Sequence, residues 1–248
     1  MRIIISPAKK MNVEDSLPWR GLPVFLEKTE ELKTYMQGLS YEEAKGLWKC
    51  SDQIASLNME RLSHMDLRRN PTPAILSYEG IQYQYMAPKV MDEDALSYLQ
   101  EHLRILSGFY GVLKPFDGIV PYRLEMQAKA KAGGKKDLYD FWGSSLYQEV
   151  ACADHRILNL ASREYSQCIE KYRKPEDVFV TCVFGEIKGE KVVQKATMAK
   201  MARGEMVRFL AETRAEGLED ARGFDRLGFC FSRERSTENQ YVFLKEET

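Results

Sequence analysis

Two short aliphatic runs, Ile3, Ile4 and Ile5 near the start and residues 157–160 further on, limit the folds open to this chain more than any other feature. The first is continuous rather than alternating, as in strands covered on both faces, and the second repeats that pattern apart from Asn159. Each gives way at once to small polar residues. Pro7 stops the first strand (residues 2–6), with Lys9 and Lys10 in the loop beyond it; the second (residues 156–160) runs into Ala161, Ser162, Glu164 and Tyr165. In open α/β sheets ligands collect at the carboxyl ends of strands. Two such ends in one sheet predict one shared cleft.

The rest of the chain supplies partners for these strands. Helices are expected over residues 25–36 and 41–62, with Ser40 and Ser51 as caps, over 92–107 with Gly108 as a stop, over 139–152 and over 196–214. Short strands are expected over 74–78 and 81–85, paired around Glu79 and Gly80. A hairpin should join 178–184 to 190–193, and Phe229–Phe231 should pair with 241–244. Residues 128–136 read as an exposed Lys/Ala/Gly loop. Strands interleave with helices without a regular βαβ rhythm, so the fold class is mixed α/β, a mixed sheet flanked by helices. With no internal repeat and no Pro/Gly/Ser-rich linker, residues 1–248 read as a single domain.

Composition matters mainly for what it excludes. Hydrophobic residues at 44% and charged residues at 29% place the chain far from disorder. The net charge of −1, from 36 basic and 37 acidic residues, gives no whole-molecule attraction to nucleic acid, so any such signal must be local. No run approaches the roughly 20 apolar residues of a membrane helix. The five cysteines, Cys50, Cys152, Cys168, Cys182 and Cys230, lie far apart, which fits reduced thiols in a cytoplasm. His64, His102 and His155 are equally dispersed, so no metal site and no cofactor is expected. Glycine-rich nucleotide loops, a GxSxG elbow and HExxH are all missing.

Two segments carry candidate chemistry. At 100° per residue, helix 196–214 gathers Met198, Ala202, Met206 and Phe209 on one side and Ala196, Lys200, Arg203, Gly204 and Ala211 on the other. Two cations among small residues admit close approach by a backbone, a phosphate or a ligand; the plainer alternative packs Gly204 on a neighbouring helix while the cations reach solvent. The second segment, LRILSGFYGVLKPFDGIVPYRLEM at 103–126, mixes Phe109, Tyr110, Phe116 and Tyr122 with Arg104, Lys114, Arg123 and Glu125. Aromatics beside cations suit stacking on bases next to phosphate; the alternative is an ordered loop that seals the core. Residues 127–136, with four lysines and no acid, are a solvated loop or a phosphate contact.

The stretches ISPAKKM at 5–11, LRILSGFYGVLKPFDGIVPYRLEM, KDLYDFWG at 136–143, NLASREY at 159–165 and KMARGEMVRF at 200–209 occur in that order, and in them the chain resembles the YaaA family of bacterial peroxide stress resistance proteins. The resemblance implies a cytoplasmic DNA-binding protein that limits free iron and the oxidative damage it causes, with a basic cleft and a helix-hairpin-helix element. Lys9, Arg104, Tyr122, Arg123, Glu125, Asn159, Lys200, Arg203 and Arg208 match its motifs, and with Lys10 the basic ones and Tyr122 are candidate nucleic-acid contacts. The helix-hairpin-helix best fits residues 41–65, with its hairpin around 54–58, where Ser56 stands in place of the favoured glycine. The alternative from the residues themselves is an enzyme on a nucleotide, nucleobase or other phosphorylated metabolite. In that case Glu125 would be the acid or base, Arg123 and Lys200 a phosphate clamp, and Asn159 an orienting group.

Overall fold

The computed structural model describes residues 1–151 and 154–245. Arg2–Ile5 lies near the middle of the main sheet, fully buried at Ile3, Ile4 and Ile5. Parallel neighbours flank it on both sides, Leu103–Ser107 on one and Arg156–Asn159 on the other. Beyond Arg156–Asn159 come Val178–Lys188 and Gln240–Lys245, also parallel, and Phe229–Phe231 closes that edge antiparallel. Gly111–Leu113 closes the other edge, and Lys191–Val193 pairs back on Val178–Lys188. The sheet is therefore mixed, with five parallel strands between antiparallel edges, and helices flank it as the sequence leads one to expect. No helix among the described residues is long and apolar enough to cross a membrane.

Several expected elements change. Leu103–Ser107 is not the last turn of a helix: the helix is Glu93–His102, capped by the Asp92 side chain on the Ala95 N–H, and the chain then enters a wholly buried strand. Residues 74–86 form no hairpin. They make one helical turn, Ala74–Ser77, then a two-residue pairing of Tyr78–Glu79 with Lys10–Met11, then the helix Ile81–Met86. Residues 41–62 are two helices, Tyr41–Trp48 and Asp52–Ser63, the first held by a full capping box at Ser40. The turn between them is at residues 49–51, so the proposed hairpin at 54–58, Ser56 included, lies inside the second helix. Residues 139–150 split into Leu138–Trp142 and Ser145–Val150, and Cys152, where one helix was expected to end, lies outside the described residues. The 128–136 loop is only half exposed: Ala128, Ala130 and Ala132 are buried while Lys129 and Lys131 face solvent.

Two glycines set the geometry that matters for the site. The helix Ala196–Glu212 packs on Ile81–Met86 so closely that a Cβ at Gly204 would sit 2.1 Å from the Gln82 carbonyl oxygen. A Cβ at Gly108 would sit 2.7 Å from the Leu124 carbonyl oxygen, so glycine there lets the segment carrying Arg123 and Glu125 pass directly over the end of Leu103–Ser107. Both are close approaches that no side chain permits.

Candidate functional site

The strand ends converge as their sequences imply. Ser6 Oγ accepts the Ser162 N–H at 2.8 Å and donates to Ser162 Oγ at 3.2 Å, joining the loops after two neighbouring parallel strands. Tyr83 Oη donates to the Ser6 carbonyl at 2.9 Å, tying the helix Ile81–Met86 to the same point. Around this junction opens a cavity of about 400 Å³.

Seven of the residues singled out in the sequence line it: Lys9, Lys10, Tyr122, Arg123, Glu125, Lys200 and Arg203. Glu79, Gln82 and Glu164 line it as well. Glu164 stands in the polar stretch after the second strand, which marked the region; Gln82 carried no signal, because its segment reads as strand. Five cations therefore face three carboxylates. Lys9 Nζ is 2.9 Å from Glu125 Oε2, and Lys10 Nζ is 2.6 Å from Glu79 Oε1. Arg123 Nη2 lies 2.9 Å from Glu125 Oε1, but off a hydrogen-bonding line, so that buried oxygen accepts no hydrogen bond. Lys200 is exposed, and neither it nor Arg203, one helical turn on, has an acid partner among the described residues.

Burial acts on both signs of charge here. Arg203 is mostly buried; desolvation lowers its pKa, opposed by the nearby Cys182 thiol, and its Nε finds no acceptor. Desolvation also raises the Glu164 carboxyl, with the Glu125 charge adding to the effect and the Gln127 N–H, 3.2 Å from Oε1, opposing it. Charges held out of water without a full set of partners are costly, and they concentrate where ligands or chemistry compensate them.

Other expectations are corrected by the structure. Phe109, Tyr110 and Phe116 are wholly or almost wholly buried and Tyr122 is 5% exposed, so this segment seals the core and offers no ring for stacking. Tyr122 stacks on Phe109, with centroids 4.9 Å apart. Its hydroxyl belongs to an internal relay. Ser107 Oγ accepts the N–H groups of Phe109 and Tyr110, so its proton goes to Tyr122 Oη at 2.6 Å, and the Tyr122 and Tyr78 hydroxyls share a hydrogen bond at 2.8 Å. Burial holds the Tyr122 hydroxyl up at about 12. Arg104 is buried, and its Nη1 donates to the carbonyls of Glu101 and Leu103 at the end of Glu93–His102, away from the cavity. Arg208 pairs with Glu212 at 2.7 Å, also outside the cavity. Asn159 does not line the cavity: its Oδ1 accepts the Ala161 N–H and its Nδ2 donates to Thr181 Oγ1. Gly204 packs on a neighbouring helix, as the plainer alternative had it, yet Lys200 and Arg203 on the same face still reach the cavity.

Sheet and cavity together define an α/β protein with a charged, incompletely neutralised pocket at the carboxyl ends of its parallel strands. The chain belongs to the YaaA peroxide-stress family: the family model described as peroxide stress protein YaaA matches residues 1–235. A UPF0246 protein of Lachnoclostridium phytofermentans is 58% identical over 250 residues, covering 100% of this chain and 98% of that one. UPF0246 proteins of Desulfitobacterium hafniense and Agathobacter rectalis are 54% and 53% identical, each covering 99% of this chain and 98% and 99% of their own lengths.

Proposed function

We propose that the whole chain acts as one cytoplasmic domain that binds DNA backbone during peroxide stress and so limits iron-dependent damage to it. The observation that carries this reading is the pair Lys200 and Arg203, side by side on one helix, facing the cavity and without a neutralising acid among the described residues. Lys9 and Lys10 extend the positive rim, although each already holds a carboxylate. Cations left unneutralised at the mouth of a cleft attract phosphate and release counterions when they bind it. Direct stacking on the aromatics of 103–126 forms no part of the proposal, since those rings are buried.

The test is binding of duplex and bubble DNA across a salt series. Affinity should fall steeply with salt, and Lys200→Glu should weaken it and flatten the slope. No shift at low salt, or an unchanged slope in Lys200→Glu, would overturn the reading.

A second reading has its own observation. The carboxyl of Glu164, raised by burial and by the neighbouring Glu125, is the kind of perturbed group that serves as an acid or base in an enzyme acting on a phosphorylated metabolite. A thermal-shift screen in which a phosphorylated small molecule is both selected and consumed would favour it.

A further inference from the structure

Gln82 is the most informative residue of the cavity. It lines the pocket, is only 8% exposed, and its Nε2 is buried without a partner; its side chain makes no hydrogen bond among the described residues. Whichever way the amide is turned, a donor and an acceptor stand side by side and unused. Leaving such a group unsatisfied costs about 1–3 kcal/mol, and native proteins rarely keep one without a reason. Nor is the residue incidental to the packing, because the helix carrying Gln82 is pressed onto the helix carrying Lys200 and Arg203 at Gly204. The unused amide is therefore fixed beside the two unneutralised cations. Across the cavity, Glu125 Oε1 is buried and ion-paired with Arg123 Nη2 at 2.9 Å, yet accepts no hydrogen bond.

From this set we infer that the pocket takes one nucleotide unit, its phosphate on Lys200 and Arg203 and its base edge read by the Gln82 amide. A carboxamide matches a nucleobase edge that presents a neighbouring donor and acceptor, the pairing by which Asn and Gln read adenine. Glu125 Oε1 accepts a further donor of the same ligand, an exocyclic amine or a sugar hydroxyl. The size agrees, because about 400 Å³ lies in the lower part of the ~300–1,000 Å³ range of small-ligand sites. An intact duplex does not fit such a cavity, but a single nucleotide does, either free or turned out of a DNA strand. The inference rests on the phosphate-binding reading of Lys200 and Arg203 and adds recognition of the base.

The experiment compares the binding of adenosine and other nucleoside monophosphates with that of ribose 5-phosphate by calorimetry. At least one nucleotide should bind tenfold or more tightly than ribose 5-phosphate. Gln82→Leu should bring that ratio to within about threefold while leaving ribose 5-phosphate affinity unchanged. Gln82→Glu, which keeps the shape and replaces the donor, serves as the second variant, with the melting temperature of each recorded. Competition then separates the two sources: displacement of the nucleotide by a hairpin with one unpaired base supports a nucleotide turned out of DNA, and its failure alongside retained nucleotide selectivity supports a free nucleotide. Equal binding of nucleotide and ribose 5-phosphate, or a ratio unchanged in both variants, overturns the inference. If salt-dependent DNA binding persists in that case, the DNA-binding reading still stands; if it is lost as well, both fall.

Discussion

Gly204 and Gln82 meet backbone to backbone: a methyl group at position 204 would lie 2.1 Å from the Gln82 carbonyl oxygen and 3.0 Å from the Met86 amide nitrogen. This contact fixes the spacing between the wall bearing the free amide and the wall bearing the free cations.

Replacing that glycine sets two effects against each other. In an isolated helix Gly→Ala gains about 1 kcal/mol, whereas overpacking a close contact costs about 1–3 kcal/mol or more. With backbone atoms on the far side, the clash should win. Gly204→Ala is expected to lose on the order of 2 kcal/mol in urea unfolding, and a stabilised variant would show the contact to be looser than described.

Arg203 pits stability against function. Its desolvated, unneutralised guanidinium is a liability to the fold. Arg203→Met keeps much of the stem and removes the charge, so the free energy of unfolding should rise, by about 0.5–2 kcal/mol. The affinity for DNA should drop at least tenfold. A variant that is less stable and binds normally would contradict both halves.

Asp117 gives a pH signature away from the pocket. Burial pushes its carboxyl up to about 6, with the Lys114 N–H, 2.8 Å from Oδ2, opposing the shift. A carboxyl raised on folding favours the folded state when protonated. Its stabilisation is complete below about pH 4 and is lost as pH climbs through 6. Asp117→Asn retains an acceptor for the Lys114 N–H without the charge. Relative to the unmodified protein it should gain stability across this window, on the order of 2–3 kcal/mol by pH 7. Stability curves that run parallel from pH 4 to 7 would exclude this account.

The relay through Ser107, Tyr122 and Tyr78 is open to a single-atom test. Tyr122→Phe leaves Ser107 without an acceptor for its proton and Tyr78 without its hydroxyl partner, at a cost of about 1–3 kcal/mol. Chemical denaturation monitored by tryptophan fluorescence would measure it, and a loss below 0.5 kcal/mol would mean that water replaces the hydroxyl.

The strands beside Ser6 and Ser162 were readable because a short aliphatic run, unbroken at Ile3–Ile5 and interrupted only by Asn159 in the second, that ends in small polar residues fits little besides a buried strand. Lys200 and Arg203 were readable from helical periodicity. Leu103–Ser107 was not, since a fully buried parallel strand has no alternation and follows directly on a helix without a glycine or proline between them. The rings of Phe109, Tyr110 and Phe116 misled for a related reason. Local composition does not reveal which side of a turn faces inward, and Gly108 and Ser107 turn that segment into the core. Residues 81–86 have a strand-like composition, but packing against Gly204 holds them as helix.

The pocket is assembled from five stretches of chain, around residues 6–10, 79–83, 122–125, 162–165 and 200–203. None of them is close to another in sequence, and the parallel strands and packed helices are what bring them together. Occupancy therefore reports on the integrity of the entire chain. A ligand held there should slow amide exchange in the strands and helices that carry all five stretches at once. Damage that loosens any one of them should release it, so binding doubles as a check that the molecule is still whole.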